Sequence, residues 1–549
     1  MPKLAKRYDV VILGANISGG MLASILAKEG VSVLVLDPKE HPRFCIGESM
    51  VPESATLLKM MARCYDMNEL ATCAHPTNIR EQIGSSCGVK LNFGYVFNEE
   101  SKLPRADEAT MTPIFPPEAH LYRQDTDSFH FHTAAKYGAH LREKAVVATT
   151  RFESSGATLT LTDGTEVEAG FVVDGYGPRS PVGEMLQIRK DAPAMRTHSA
   201  SIFTHMIDVP PFEESVFPQS THGFPVRFSQ GTLHHFFDTG WLWIIPFDNH
   251  PYRVSRLCSV GLQWDPRRVD LAAGAPEERF MRFVERYPGM YRQIKDARAV
   301  REWTFMPRLQ YTARTITAPR YCASANTAGF VDPLFSRGLV ITFETVLHLS
   351  HLLIAAVREN DFREERFAAL DHLVRSYVDV NDRLVACSYI AFRDFTLWNA
   401  WYRLWSAGVF FGGNRLQQLL ARWDVDGKDV VLSTLLRRES TGSLARGLPA
   451  FDQLFDAAAT VVESVERGER KPAAAAEEIF RLLSAAERFL PPFDYSKPEQ
   501  RYPFAPTAET ASKIMTWGRE RAPAEVRSFC FDRPVTSAAP DTGAEYRLP

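Results

Sequence analysis

A short apolar strand, Tyr8 to Leu13, runs directly into Gly14-Ala15-Asn16-Ile17-Ser18-Gly19-Gly20. A helical pattern follows from Met21 to Glu29, capped by Gly30, and then a second strand from Val31 to Leu36 that ends on Asp37. A glycine turn between strand and helix lets helix N–H groups approach a phosphate, and an acid at the end of the second strand can hold a ribose hydroxyl. The order therefore predicts a dinucleotide-binding βαβ unit with Gly14, Ser18, Gly19 and Asp37 against the nucleotide. Asn16 stands where the middle glycine of G-x-G-x-x-G is expected. Asn tolerates a left-handed backbone, so the turn is expected to survive with the side chain crowding the pyrophosphate.

The bulk of the chain sets only broad bounds. Its 549 residues exceed what one core holds, so two or three lobes are expected. A hydrophobic content of 45% and a charged content of 23% suit a globular chain, and a net charge of -3 gives no argument for nucleic acid or a membrane surface. The eight cysteines are scattered without a C-x-x-C pair, and no secretory leader pattern is visible. These features predict reduced thiols, no metal site and a cytoplasmic location. No apolar run is expected to reach the length of a bilayer span.

Gly240-Trp241-Leu242-Trp243-Ile244-Ile245-Pro246 reads as a strand with both indoles and Ile245 on one face, ended by the proline. On spacing alone a buried core strand is the simpler account. Cys87 to Phe97 alternates, with Val89, Leu91, Phe93, Tyr95 and Phe97 on one face and Gly88, Lys90, Asn92, Gly94 and Val96 on the other. Lys90 is thus expected among small and polar neighbours, and its residue type alone suggests the wet side of the strand. His234 and His235 are adjacent, so at most one faces a pocket, and hydrogen bonding within a sheet is the simpler expectation for both. Ala157 to Asp174 reads as a β-meander turning at Asp163-Gly164.

Two further stretches precede helices: Gly47-Glu48-Ser49, and Asp332-Pro333-Leu334-Phe335-Ser336-Arg337-Gly338 ahead of a helical pattern from Leu339 to Arg358. A glycine loop at a helix start offers N–H groups to an anion or a carbonyl, and an ordinary capped helix start accounts for either stretch as well.

Together these stretches resemble the flavin-dependent halogenases. Trp241, Trp243, Ile245 and Pro246 match the family's W-x-W-x-I-P motif at each fixed position. Gly47-Glu48-Ser49 through Pro52 is similar to the G-E-S-x-x-P segment of these enzymes and their monooxygenase relatives, and Asp174-Gly175-Tyr176-Gly177 to the D-x-x-G that closes their FAD-binding part. The resemblance implies an α/β fold, α+β overall. Its parts are a Rossmann-type FAD-binding domain of the aromatic hydroxylase and halogenase superfamily, an antiparallel substrate-side sheet and a helical C-terminal lobe. The implied boundaries are 1–197 and 311–362 for the FAD-binding domain, 198–310 for the sheet and 363–549 for the helical lobe.

The resemblance also assigns roles. Gly14, Ser18, Gly19, Asp37, Gly47, Glu48, Ser49, Arg123, Asp332, Pro333 and Gly338 would hold FAD, and Ser336, Arg337 and Gly338 a halide. Lys90, with Tyr95 five residues on, would carry the oxidised halogen. Trp241 and Trp243 would keep the substrate away from the flavin. Reduced FAD, O2 and chloride or bromide would act through a flavin C4a-hydroperoxide and hypochlorous acid. The product would be a halogenated electron-rich aromatic such as a pyrrole or phenol, free or tethered to a carrier protein. FADH2 would come from a separate NAD(P)H-dependent flavin reductase. Phe335 stands where tryptophan halogenases carry a glutamate, and Ser324-Ala325-Asn326 stands where Gly-Asp is usual. The D-P-L-F-S-R-G form resembles the members acting on pyrroles and phenolic polyketides.

Beyond Phe362 the pattern is helical. Helices are expected over Phe367 to Phe395 and Ala450 to Leu490, with breaks at Gly412-Gly413 and Lys497-Pro498 and a loosely ordered final twenty residues. This lobe shows no chemistry of its own and is expected to close over the substrate. Two other readings remain open at this stage. A single-component FAD hydroxylase using NAD(P)H shares the fold, and Asn16 with the missing Gly-Asp would suit a non-catalytic flavin-fold binding protein.

Overall fold

The computed structural model describes residues 4–190, 195–271, 273–436, 444–445 and 447–532. Its first sheet is built outward from β1 (Arg7–Leu13), a strand of apolar residues buried on both sides. β1 pairs in parallel with β2 (Val33–Leu36), and α1 (Ile17–Lys28) makes the crossover between them. The order has a steric cause: Gly14 sits at φ +100°, and a Cβ there would lie 2.8 Å from the Gly175 carbonyl oxygen. A Cβ on Gly19 would lie 2.0 Å from the Gly14 oxygen, so only glycine lets helix and strand approach this closely.

Asn16 does not take the expected left-handed backbone. Its φ is -76°, and its Oδ1 accepts from the Ser18 and Gly19 N–H groups as the helix N-cap, each at 3.1 Å. Nδ2 donates to the Gly175 carbonyl at 3.0 Å. Capping, the ordinary use of Asn at a helix start, explains the residue better than turn geometry does.

α2 (Pro52–Tyr65) then leads to the long strands β3 (Gly88–Phe97) and β4 (Ala109–His120). Next come α3 (Arg123–Lys136), β5 (His140–Arg142), β6 (Val147–Glu153), β7 (Gly156–Leu161) and β8 (Glu166–Asp174). β8 lies parallel to β1 on the side away from β2. β7 and β8 form the meander expected over 157–174, turning at Asp163-Gly164, and β6 pairs on the far side of β7.

The second sheet is eight-stranded and carries the tryptophan strand at its centre. It contains β9 (Ala200–Ile207), β10 (Thr232–Phe237), β11 (Gly240–Pro246) and β12 (Leu257–Trp264). Beyond β10 it continues into β3 and β4, so residues 88–120 join the strands of 200–264 in one sheet. β10 pairs antiparallel with β11 and parallel with β3.

Strict alternation does not hold in β3. Its register against β4 slips between Lys90 and Asn92. Lys90 pairs with Glu118 and Asn92 with Pro113, so the extra residues of this irregularity lie in β4. Lys90 Nζ lies 3.2 Å from the Phe93 ring centroid, and every residue of β3 is buried. The expectation of a wet-face lysine is corrected on both counts.

α4 (Gly338–Glu359), α5 (Glu364–Ala391) and α6 (Phe395–Ala421) form the base of the helical lobe. α4 is long and apolar enough to cross a membrane, contrary to the sequence expectation, but most of it is buried within the protein against α1, α2 and α5. α6 starts at Asp394, which caps the Leu397 N–H, and runs unbroken through Gly412-Gly413. Gly412 is there for contact: a Cβ on it would lie 2.4 Å from the Leu444 oxygen. The stretch expected as one helix over 450–490 is two, α7 (Pro449–Glu466) and α8 (Pro472–Ala485), separated at Gly468 with φ +72°. Most of the final twenty residues lie outside the described residues.

The tryptophan strand also fixes its neighbour. Trp243 lies opposite Gly261 on β12, and a Cβ on Gly261 would sit 2.1 Å from the indole. Gly261→Ala should lower stability by about 1–3 kcal/mol through overpacking and blue- or red-shift tryptophan fluorescence. An unchanged Tm and emission maximum would show that the ring has another resting place.

Candidate active site

Where the two sheets and α4 meet lies a cavity of about 180 Å³. Gly47, Glu48 and Ser49 border it from the loop after β2, and Arg123 from the start of α3. Trp241, Trp243 and Ile245 enter from β11, and Asp332, Pro333, Ser336, Arg337 and Gly338 from the loop before α4. A larger opening of about 580 Å³ lies on the other face of the second sheet, past Leu233, Ile244 and Cys258; Pro246 of the motif borders it, but none of the residues expected to hold FAD or halide or to act in the chemistry does. The smaller cavity is therefore the candidate site.

Its charged groups are buried and paired. Arg123 Nη1 donates to the carbonyls of Ile46 (3.0 Å) and Gly47 (2.9 Å), and its Nε meets Asp127 at 2.7 Å. Burial works against the guanidinium charge, yet Asp127 outweighs it and holds the pKa above the usual value. Glu48 Oε1 meets His205 Nε2 at 2.7 Å. Asp332 Oδ2 accepts from Ser199 (2.9 Å) and Tyr389 (3.0 Å), and burial raises its carboxyl to about 6. Arg337 Nη1 lies 3.2 Å from Glu53, and the Arg337 carbonyl accepts from Tyr377 at 2.6 Å. Ser336 adopts φ +53°, which turns the chain sharply into α4, whose first N–H groups carry no side-chain cap.

At the nucleotide end, Ser18 and Gly19 border a small adjoining recess with Gly175 and Asn326. Gly14 packs on Gly175. The Asp37 carboxylate accepts from the Ala15 N–H at 2.7 Å and pairs with Arg43 at 3.0 Å, bracing the turn.

Lys90 is not on the cavity wall. It is wholly buried, and its Nζ donates to Ser49 Oγ and to the Met50 carbonyl, each at 2.7 Å. Burial holds its pKa well below the usual lysine value, against a small opposing pull from Glu118. Glu118 lies opposite Lys90 on β4, and burial lifts its carboxyl to about 8 despite Lys59 and Lys90.

Several residues here were missed from sequence. His234 borders the cavity, stacked on Tyr95 with centroids 4.4 Å apart. Its Nδ1 also lies 2.9 Å from the Gly94 carbonyl, so the expected hydrogen bonding within the sheet holds for it, as it does for His235, which bonds to Gln293 on the other face. Tyr377, Val378 and Asn381 of α5 also border the cavity. Trp398, Tyr402 and Trp405 of α6 pack on Tyr95, and Trp405 stacks on Phe335 with centroids 4.9 Å apart. Their 4- and 3-residue spacing puts them on one helix face, a stripe visible in the sequence.

A glycine turn that no side chain can enter, an acid at the end of β2 and a cavity walled by backbone and paired charges together fit FAD. The arrangement is that of a flavoprotein whose cofactor site adjoins a buried cluster of aromatic rings. A family model described as FAD binding domain matches residues 7–285. The chain is 37% identical to tetracycline 7-halogenase of Kitasatospora aureofaciens, over 95% of this chain and 94% of that one. It is equally 37% identical to monodechloroaminopyrrolnitrin halogenase of Pseudomonas fluorescens, over 96% and 94%. The crystal structure of halogenase PltM with phloroglucinol and FAD superposes with a TM-score of 0.88 at 36% identity, covering 90% of this chain and 99% of that one. The chain belongs to the flavin-dependent halogenases: it is an enzyme that uses FAD, O2 and a halide to halogenate aromatic substrates.

Glu118 offers a test of the charge state beside Lys90. A carboxyl raised to about 8 in the folded protein and near its usual value when unfolded stabilises the fold at low pH. That contribution is lost as pH rises from about 4.3 through the folded value. Glu118→Gln has no proton to lose, so its Tm should gain on wild type between pH 5 and 8. A constant difference across that range would mean that Glu118 is already ionised beside a charged Lys90.

Proposed function

We propose that this enzyme halogenates an electron-rich pyrrole or phenol, free or carrier-tethered, and that Lys90 delivers the halogen. The observation that carries the reading is the position of Lys90, one hydroxyl away from the cavity through Ser49 and beneath the aromatic ring of Phe93. When bound, reduced flavin with O2 and a halide supplies the oxidised halogen.

Gly47, Glu48, Arg123, Asp332 and Pro333 would hold the isoalloxazine end of the cofactor, and Gly14, Ser18, Gly19 and Asp37 the nucleotide end. Ser336, Arg337 and Gly338 would hold the halide, where the uncapped N–H groups and dipole of α4 favour an anion. Trp241 and Trp243 would separate the flavin from the substrate. An amine freed of its proton by burial is nucleophilic, and can either take the halogen as a haloamine or hydrogen-bond to hypohalous acid. The aromatic substrate would lie against Phe93, Tyr95, Trp398 and Trp405, held there for attack at one carbon. FADH2 would arrive from a separate NAD(P)H-dependent flavin reductase. Residues 1–197 with 311–362 would serve the cofactor, apart from 88–120, which would join 198–310 on the substrate side, and 363–549 would serve closure.

The test is a product assay with FAD, a flavin reductase, NADH and chloride or bromide, over phloroglucinol, a pyrrole and an aniline. A mass gain with the halogen isotope pattern is expected. A gain of one oxygen, with NADH consumed in the absence of the reductase, would make the protein a hydroxylase instead. Lys90→Ala should keep flavin reoxidation and peroxide release while product falls by about 100-fold or more. Product near the wild-type level would remove the lysine from the chemistry.

A further inference from the structure

Four side chains from four separate segments form one line of hydrogen bonds behind the cavity wall. Lys90 Nζ lies 2.7 Å from Ser49 Oγ, and Ser49 Oγ lies 2.8 Å from Thr232 Oγ1. Thr232 Oγ1 lies 2.9 Å from His120 Nε2, and His120 Nδ1 lies 2.9 Å from the carbonyl of Pro246. All four side chains are buried, and Ser49 and His120 are also joined by a backbone bridge. Pro246 is the last residue of the tryptophan strand.

The direction of every bond in the line follows from its far end. A carbonyl oxygen can only accept, so His120 Nδ1 carries a proton and donates to Pro246. Burial pushes the imidazole down to about 3, so it is neutral and Nε2 is a bare lone pair. Thr232 must then donate its only hydroxyl proton to His120 and accept from Ser49. Ser49 has likewise spent its proton and can only accept from Lys90. The remaining close partner of Nζ, the Met50 carbonyl, also only accepts. Two N–H bonds of Lys90 are thereby fixed, and among the described residues the group that meets Nζ besides these two acceptors is the Phe93 ring face, 3.2 Å away.

We propose that Thr232 and His120 are positioning residues for the halogenation: they hold the Ser49 hydroxyl as an acceptor, so that it cannot donate into the Lys90 lone pair. The proposal rests on the reading of Lys90 as the halogen-delivering residue. It makes an unusual prediction about combined substitutions. Thr232→Val keeps the shape but releases the Ser49 proton, which turns to the amine and masks it. Ser49→Ala removes the masking hydroxyl, so adding it to Thr232→Val should restore activity that Thr232→Val removed.

The experiment measures halogenated product per FADH2, with kcat and KM for phloroglucinol or whichever panel compound is converted fastest, in the full enzyme with reductase and chloride. Thr232→Val should lower kcat by about tenfold or more with little change in KM, while Thr232→Ser stays within about threefold of wild type. The double variant Ser49→Ala/Thr232→Val should recover to within about threefold of Ser49→Ala alone. A double variant no better than Thr232→Val, or an unchanged kcat in Thr232→Val, overturns the proposal. If Thr232→Val does not fold, Ser49→Ala decides: it should fall less than Lys90→Ala does, and an equal loss overturns the idea. Lys90→Ala run alongside separates the two levels. Product surviving in Lys90→Ala sinks the lysine reading itself, whereas its loss together with a normal Thr232→Val sinks only the relay.

Discussion

An amine removed completely from water must either lose its proton or sit beside a charge that justifies keeping it. Lys90 has no ionised carboxylate in hydrogen-bond contact; its partners are a hydroxyl, a carbonyl and a ring face. Much of the second half of the chain maintains that dryness. α6 lays Trp398 and Trp405 over Tyr95 and Phe93, and Phe335 closes the gap between the loop before α4 and the same helix. Rings rather than charged groups facing the amine are what such a seal requires, since each polar group brought near it would need a partner of its own.

The cofactor side follows the opposite rule. Arg123, Glu48, Asp332 and Arg337 are buried, and each is tied to a named partner. A cavity walled by charges that are already satisfied keeps its shape, because moving any of them would strand a buried ion. The two neighbouring spaces thus differ in kind, one set by fixed polar geometry and the other by exclusion of polarity. Ser49 is the residue that belongs to both.

The sequence was most legible where local rules decide the structure. The glycine turn, the β-meander and the tryptophan strand depend on residues near in the chain, and they appear as read. The errors share a different cause. The bulge of β4 opposite Lys90 and Asn92 depends on how the two strands pair, which the alternation of one strand does not encode. Gly412 was read as a helix break because its reason, close approach to Leu444, lies outside the helix. Asn16 was misread for a simpler reason: capping by Asn is a local rule, and the glycine fingerprint drew attention away from it. The Thr232–His120 pair was invisible for the same reason as the bulge, being assembled from segments more than a hundred residues apart.

The Gly47–Ser49 loop is a party wall between the two spaces, with Arg123 clamped to one side of it and Lys90 to the other. For anyone redesigning the enzyme, this makes the loop a poor place to begin. A substitution chosen to tune cofactor affinity will shift the amine, and one chosen to tune the amine will loosen the cofactor, so selection for either trait drags the other with it. Trp398 and Trp405 of α6 pack on the aromatic side of that wall, and variation there can change which aromatic is accepted while leaving the oxidant's manufacture alone.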